Sequence, residues 1–300
     1  MVIKVHGGIG NQLFQLCFWK YIFLKTDRNV KLDMKFFKDI DKQKYPRENC
    51  LDILFPDIEN LYFIEKKIQK NLVSRFLLKN KSCKKFNLFQ IINSAIGNVL
   101  TDKSFFLTSN FNLLIGKKIY YDGYWQQFKY LKFGLDEIKK ALEIEKPVFN
   151  IEDDSIAVHI RRGDYLKISN DGINNIVLEL EYYVRALEYF QCKFKKLKCE
   201  IFTDDYSWCK LNLNHLFPDI EFSYSGEFLD DLTSLFFMSK HKNIIVANST
   251  YSLWGFYLSN CSIASVPLSW IKSNESNGNY LIDSKKFYNL GLLSIYDKNN

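Results

Sequence analysis

The sequence predicts an α/β protein built on a doubly wound parallel sheet, and three observations carry that prediction. The chain opens as strand, glycine loop, helix, strand. From residue 155 onward, short apolar runs alternate with helical segments across brief connections. Polar clusters then fall at the carboxyl ends of four apolar runs, where parallel sheets bind their ligands.

Taken in order, residues 2–6 (VIKVH) are strand-like, and Gly7, Gly8 and Gly10 read as a loop. Residues 12–25 place Leu13, Leu16, Cys17, Phe23 and Leu24 as an amphipathic helix would. A second strand follows at 29–33 (NVKLD). Residues 36–115 carry lysine-rich helical runs with no clear boundaries, and 118–122 (KIYYD) returns to strand before GYWQQFKYL. Charge rises over 141–154 around Pro147, which divides the chain into expected domains 1–150 and 151–300. Beyond it the predicted strands are 155–159, 200–203, 220–223, 243–247 and 262–266. The predicted helices between them cover 178–190, 206–211, 230–240 and a short segment from Leu253.

Three hundred residues, 47% apolar and 25% charged, are enough for two such units. No apolar run of about 18 residues is present to span a membrane. The opening residues read as a strand rather than a signal peptide, so a cytoplasmic protein is expected. Seven scattered cysteines, an odd number without a C-x-x-C pair, predict reduced thiols rather than disulfides or a zinc site. Part of the +7 net charge lies between Lys66 and Lys85 and reads as a solvated helix face. No reading helix or aromatic RNA-binding motif accompanies it, so no nucleic-acid partner is expected. Attraction to an anionic membrane surface is the other use of that charge.

Each strand-end cluster has a chemical use. Gly8 and Gly10, with Asn11 and Gln12, let backbone N–H groups approach an anion ahead of a helix. Arg161 and Arg162 are permanently charged forks suited to phosphate oxygens. Two adjacent guanidiniums repel, so a negative partner is expected between or beyond them. Asn248, Ser249, Thr250 and Ser252 offer amides and hydroxyls at another helix start, while Asp204 and Asp205 are acceptors for a base or a ribose. Together they sketch a nucleoside diphosphate bound without a metal.

Rival readings exist for several of these residues. The arginine pair could belong to an ion network with Asp164, and His159 alone would ordinarily be a satisfied strand residue. Arg162-Gly163-Asp164 imitates an adhesion signal, and Asn248-Ser249-Thr250 a glycan acceptor, both without meaning inside a cell. Gly8-x-Gly10 followed by Asp33 imitates a dinucleotide fingerprint but has Leu13 where the third glycine belongs. Asp39-Ile40-Asp41 is a D-x-D of the kind that holds a metal in some sugar transferases, here in a lysine-rich segment.

The stretches GGIGNQLFQ (7–15), HIRRGDY (159–165), FTDD (202–205) and HKNIIVANSTYSLWGFYL (241–258) resemble the α-1,2-fucosyltransferases, in family order, with GYWQQFKYL (123–131) as a further match. The resemblance implies a GT-B type fold of two Rossmann-like domains facing a cleft. It implies an inverting, metal-independent transfer of L-fucose from GDP-fucose to the 2-hydroxyl of a terminal galactose. By position, Arg161 would hold the β-phosphate with Arg162 supporting, and His159 with Asp204 or Asp205 would face the guanosine. Ser249, Thr250 and Ser252 would add phosphate contacts, and Gly8, Gly10, Asn11 and Gln12 would form the facing loop. Tyr124, Trp125 and Gln126 would meet the acceptor, and Asp164 is the first choice for general base. The bacterial form of the family implies a cytoplasmic enzyme acting on a galactose-terminated glycan, such as a lipid-linked O-antigen unit, with peripheral contact at the inner membrane face. Leu253 and Gln127 depart from the family pattern. The alternatives are a non-catalytic nucleotide-sugar sensor and an NAD-dependent oxidoreductase.

Overall fold

The computed structural model describes residues 1–26, 28–42, 46–57, 99–101, 120–144, 146–170, 177–268, 286–290 and 293–298. The basic stretch 66–85 and most of 36–115 lie outside them, as does Cys83. The chain forms two compact units, Met1–Ile138 and Lys139–Asn300, dividing inside a helix (Leu135–Glu143) ahead of the expected boundary at 150.

The first unit is built on strands β1 (Val2–Lys4), β2 (Lys31–Asp33), β3 (Val99–Thr101) and β4 (Tyr120–Asp122), in the order β2-β1-β4-β3. Every pairing is parallel. Helix α1 (Ile9–Thr26) buries Leu13, Phe14, Cys17, Phe18 and Ile22. It starts earlier than the sequence predicts: the N–H groups of Asn11 and Gln12 both donate to Gly8 O, so Gly10 lies in the first turn and not in the loop. The missing Cβ of Gly10 had suggested a loop, but the carbonyl of Gly8 already opens the helix. Helix α2 (Cys50–Leu54) is capped by Asn49, and α3 (Leu135–Glu143) follows a 3-10 turn at Phe128–Phe133. Phe18 stacks on Trp125 at 4.1 Å and 7°, and Tyr121 and Tyr130 meet Phe18 edge-on.

The second unit carries a seven-stranded sheet in the order β10-β11-β9-β8-β5-β6-β7. The strands are β5 (Ile156–Ile160), β6 (Lys198–Thr203), β7 (Glu221–Ser223), β8 (Asn243–Ile245), β9 (Ile263–Pro267), β10 (Tyr288–Asn289) and β11 (Leu293–Asp297). From β9 to β7 the pairings are parallel; β11 on β9 and β10 on β11 are antiparallel, an edge the sequence did not predict. All five residues of β5 are buried, as befits a central strand covered on both faces. Helices α4 (Gly163–Asn170), α5 (Leu180–Lys193), α6 (Tyr206–Leu216), α7 (Asp231–Ser239) and α8 (Thr250–Leu258) connect the strands. Tyr182, Tyr183, Ala186, Leu187 and Phe190 of α5 pack with Ile156, Val158 and Ile160 of β5 in one core cluster. Burying rings and branched side chains of this size contributes about 1.5–3 kcal/mol each. α8 begins at Thr250, before the predicted Leu253, because the Ser249 hydroxyl caps the Tyr251 N–H.

This order has one consequence for function. The chain winds outward from β5 through β6 and β7, then returns to place β8 and β9 on the opposite side of β5. The order reverses between β5 and β8, and the crevice beyond the carboxyl ends of two such strands is where open α/β sheets bind ligands. No described helix is long and apolar enough to cross a membrane. The described cysteines Cys17, Cys50, Cys192, Cys199, Cys209 and Cys261 are free thiols.

Candidate functional site

The reversal point brings HIRRGDY and ANSTYS together. Tyr165, in the first turn of α4, donates its hydroxyl proton to Asn248 O at 3.3 Å. Arg161 leaves β5 into this crevice, and two carboxylates fix its guanidinium. Nη2 meets Asp164 Oδ1 at 2.6 Å, and Nη1 meets Asp204 Oδ2 at 2.9 Å. The planar fork therefore has one orientation; the Tyr165 ring lies 5.4 Å from the guanidinium carbon. Arg162 is held differently: Nε donates to Asp205 Oδ2 at 3.2 Å, and the guanidinium carbon sits 3.8 Å from the Trp208 ring centroid. The negative partners expected for the arginine pair are thus present within the protein.

These pairings place three carboxylates, among them Asp204 and Asp205, one of which was expected to face a guanosine. Asp204 Oδ1 accepts the N–H groups of Arg162 and Gly163, at 2.8 and 3.0 Å, closing the start of α4. A carboxylate at a helix N-terminus is also favoured by the helix dipole. Asp205 caps α6 through the Trp208 N–H while its other oxygen holds Arg162. Asp164, the expected base, points Oδ1 at Arg161.

His159 is 4% exposed, in tilted contact with the Tyr251 ring at 5.4 Å. Burial, reinforced by Arg161, pushes its pKa down to about 3, so the ring is neutral. Its Nδ1 has no hydrogen-bond partner among the described residues. A buried polar atom left so costs about 1–3 kcal/mol, which a ligand or water group reaching Nδ1 would recover.

The serine cluster divides by depth. Thr250 is partly exposed at the start of α8, and Asn248 and Ser249 are nearly buried beside it, at 4% and 7% exposure. Ser252 is wholly buried; its hydroxyl accepts from the Ala247 N–H and lies 3.2 Å from Ser249 O. Ser252 therefore closes the β8-to-α8 turn, where a phosphate contact was expected. The i+3 spacing from Ser249 turns it back under the helix start.

In the first unit, Gln12 is likewise internal. Its amide donates to Gly7 O and Glu48 O and accepts from the Cys50 N–H, which satisfies it within the protein. Gly8 lies near Arg47, whose Nε would stand 3.8 Å from an added Cβ. Asn11 Oδ1 accepts from Gln126 Nε2 at 2.6 Å, joining two predicted residues. Tyr124 is 38% exposed and stacks on His6 at 4.6 Å. Trp125, expected as a sugar platform, is 1% exposed. Its backbone takes φ +55°, which turns the indole inward onto Phe18. Among the departures from the family pattern, Leu253 is fully buried and Gln127 7% exposed.

Trp208 was missed, since nothing local marks a helix tryptophan as an arginine's partner. Tyr165 stood inside HIRRGDY and was passed over. Among the described residues, no group of three or more His, Cys, Asp or Glu side chains gathers as metal ligands would. Asp39-Ile40-Asp41 lies on a 3-10 helix (Lys35–Lys42), and the side chains of residues 39–41 are outside the described set.

Comparison with known proteins shows what the chain as a whole is similar to. The chain is 27% identical over 291 residues to the alpha-1,2-colitosyltransferase of Escherichia coli, covering 92% of this chain and 94% of that protein. It is 25% identical over 294 residues to the O-antigen biosynthesis glycosyltransferase WbnK of Escherichia coli, covering 90% and 95%. A shorter match, 25% over 103 residues, covers 34% of this chain and 28% of the galactoside 2-alpha-L-fucosyltransferase SEC1 of Bos taurus. The profile of glycosyl transferase family 11 matches residues 1–284, and the chain therefore belongs to that family.

Proposed function

We propose that this glycosyltransferase moves L-fucose from GDP-fucose to the 2-hydroxyl of a terminal galactose, inverting the configuration at C1 and using no metal. The observation that carries this reading is Arg161, forked between Asp164 and Asp204 at the crevice between β5 and β8. As the C1–O bond breaks, its electron pair goes to the diphosphate. A cation already oriented there lowers the barrier without reorganising at the moment of reaction. Arg161 and Arg162 face the diphosphate, the start of α8 at Ser249 and Thr250 adds hydroxyl and N–H donors, and His159 meets the guanosine. Asp164 acts through Arg161.

The acceptor is a galactose-terminated glycan, and the O-antigen relative supports a lipid-linked unit. The lipid would bring the protein to the inner membrane face.

A second donor has a specific observation behind it: the relative matching 92% of this chain is named for colitose. Colitose is fucose without its 3-hydroxyl. A pocket built to hydrogen-bond that hydroxyl would reject the deoxy sugar strongly, because its polar groups would be left unpaired.

The test incubates purified protein with lactose and a chelator, with GDP-fucose and GDP-colitose in parallel, and reads product by mass and linkage by NMR. Fucosyl-α-1,2-lactose is expected. Colitosyl product alone reassigns the donor, donor binding without product makes the protein a sensor, and activity only with manganese revives the Asp39-x-Asp41 metal reading.

A further inference from the structure

His6 follows β1 at its carboxyl end, and none of the chemistry above uses it. Its environment removes the usual ambiguity of a histidine. Gln15, fully buried on α1, accepts the His6 backbone N–H at Oε1 (3.0 Å) and donates from Nε2 to Gly123 O (2.8 Å). Reversing that amide would set oxygen against oxygen and N–H against N–H, so its orientation is forced. The second hydrogen on Gln15 Nε2 then faces His6 Nδ1 at 3.0 Å, which must accept it. The imidazole hydrogen therefore resides on Nε2, which meets no side-chain hydrogen-bond partner among the described residues, while the ring also contacts the Lys4 backbone.

Lys4 Nζ is held by both oxygens of Asp122, at 3.1 and 3.2 Å. Burial, with help from Lys4, lowers the His6 pKa to about 4 and keeps the ring neutral. Tyr124 lies against the imidazole at 4.6 Å and 25°, yet is 38% exposed. Gly7 permits this crowding. Its φ is +86°, and a Cβ there would stand 2.8 Å from Asn11 Nδ2 and 3.1 Å from Tyr124 Cε1. An exposed ring face, a fixed neutral N–H and the Asn11–Gln126 amide pair suit an uncharged, hydroxyl-rich ring such as a pyranose. The ion-paired cluster of the second unit suits an anion instead.

We propose that His6 determines acceptor specificity: its Nε2–H donates to a hydroxyl oxygen of the galactose that packs on Tyr124. The assignment rests on the transferase reading above. It also removes His6 as a candidate base, because Nδ1 is engaged by Gln15 and Nε2 has no lone pair to offer.

The test compares wild type with His6→Phe, which keeps a ring beside Tyr124 but has no donor, and His6→Gln, which restores an N–H. With saturating GDP-fucose, His6→Phe is expected to raise the lactose KM about 3–10-fold, the effect of one neutral hydrogen bond. The GDP dissociation constant and kcat should stay within about twofold by the same reasoning, and His6→Gln should recover part of the KM. In parallel, ¹⁵N NMR of wild-type protein at neutral pH should show Nε2 protonated and Nδ1 bare, independent of any variant's folding. An unchanged lactose KM in His6→Phe, or a proton on Nδ1, overturns the proposal. Wild-type protein that makes no product brings down the transferase reading itself, an outcome distinct from an active enzyme indifferent to His6.

Discussion

Replacing Gly163 with alanine adds one carbon to the first residue of α4, and helix propensity alone would reward it by up to about 1 kcal/mol. The structure predicts the opposite outcome. The new Cβ would stand 2.6 Å from Asp204 Oδ2 and 2.9 Å from its Cγ, so that carboxylate must shift from its place. Asp204 there accepts the N–H groups of Arg162 and Gly163 and pairs with Arg161 at 2.9 Å. Hydrogen bonds to charged groups contribute about 1.5–3 kcal/mol each, but this carboxylate is 25% exposed, so the lower end applies. The net destabilisation is about 2–4 kcal/mol. Arg161 keeps only Asp164, and kcat/KM for transfer should fall about 10²-fold as the fork loses its fixed direction. The assay is a double-mutant cycle with Asp204→Ala, following both urea unfolding and turnover. Once Asp204 is gone the added methyl has nothing to displace, so Gly163→Ala should be nearly neutral in that background. Additive losses would refute the reasoning.

Arg161→Lys keeps the charge but cannot hold Asp164 and Asp204 with two separate nitrogens; turnover should drop about 10²–10³-fold, and near wild-type kcat would remove Arg161 from the reaction. Asp164→Asn should lower kcat while leaving the acidic limb of the pH–rate profile in place; loss of that limb would restore Asp164 as the base. Acid stability supplies an independent check. Burial lowers His6 and His241 to about 4 and His159 to about 3, below the ordinary 6.5. The unfolded chain therefore binds more protons below about pH 6.5, and stability falls as pH drops from there toward the folded values. Near pH 5 each histidine costs on the order of 2 kcal/mol. The urea midpoint should decline between about pH 7.5 and 5, less steeply in His241→Gln, and a flat midpoint would contradict the burial of these rings.

Local patterns made much of this legible. The apolar run from Ile156 to Ile160 and the spacing on α1 predicted a strand and a helix because side-chain period follows from backbone geometry alone. The strand-end clusters at Arg161 and Asn248 were visible for the same reason. GYWQQ places Trp125 beside a turn but does not say which way the turn faces; a positive φ and the Phe18 ring turn the indole inward. Ser252 and Gln12 carry the groups a ligand site needs and use them on backbone instead. Composition cannot separate those two uses. The antiparallel β10–β11 edge went unseen because, among the described residues, its short strands pair only with each other and with β9.

What the sequence determined by itself is an inventory with directions: parallel strands, the residues at their ends, and a repelling arginine pair that required negative partners. Only tertiary structure decided which carboxylates those are. Asp204 is far from Arg161 along the chain, and β6 brings it there by pairing with β5 in register, Ile160 opposite Thr203. Likewise His6 acquires a fixed tautomer from Gln15 and Gly123, residues that meet only after α1 docks beside β1 and β4. Periodicity is a property of a few neighbouring residues and survives in the sequence; the partner of a charge or of a ring nitrogen is set by sheet register and packing, which join distant parts of the chain.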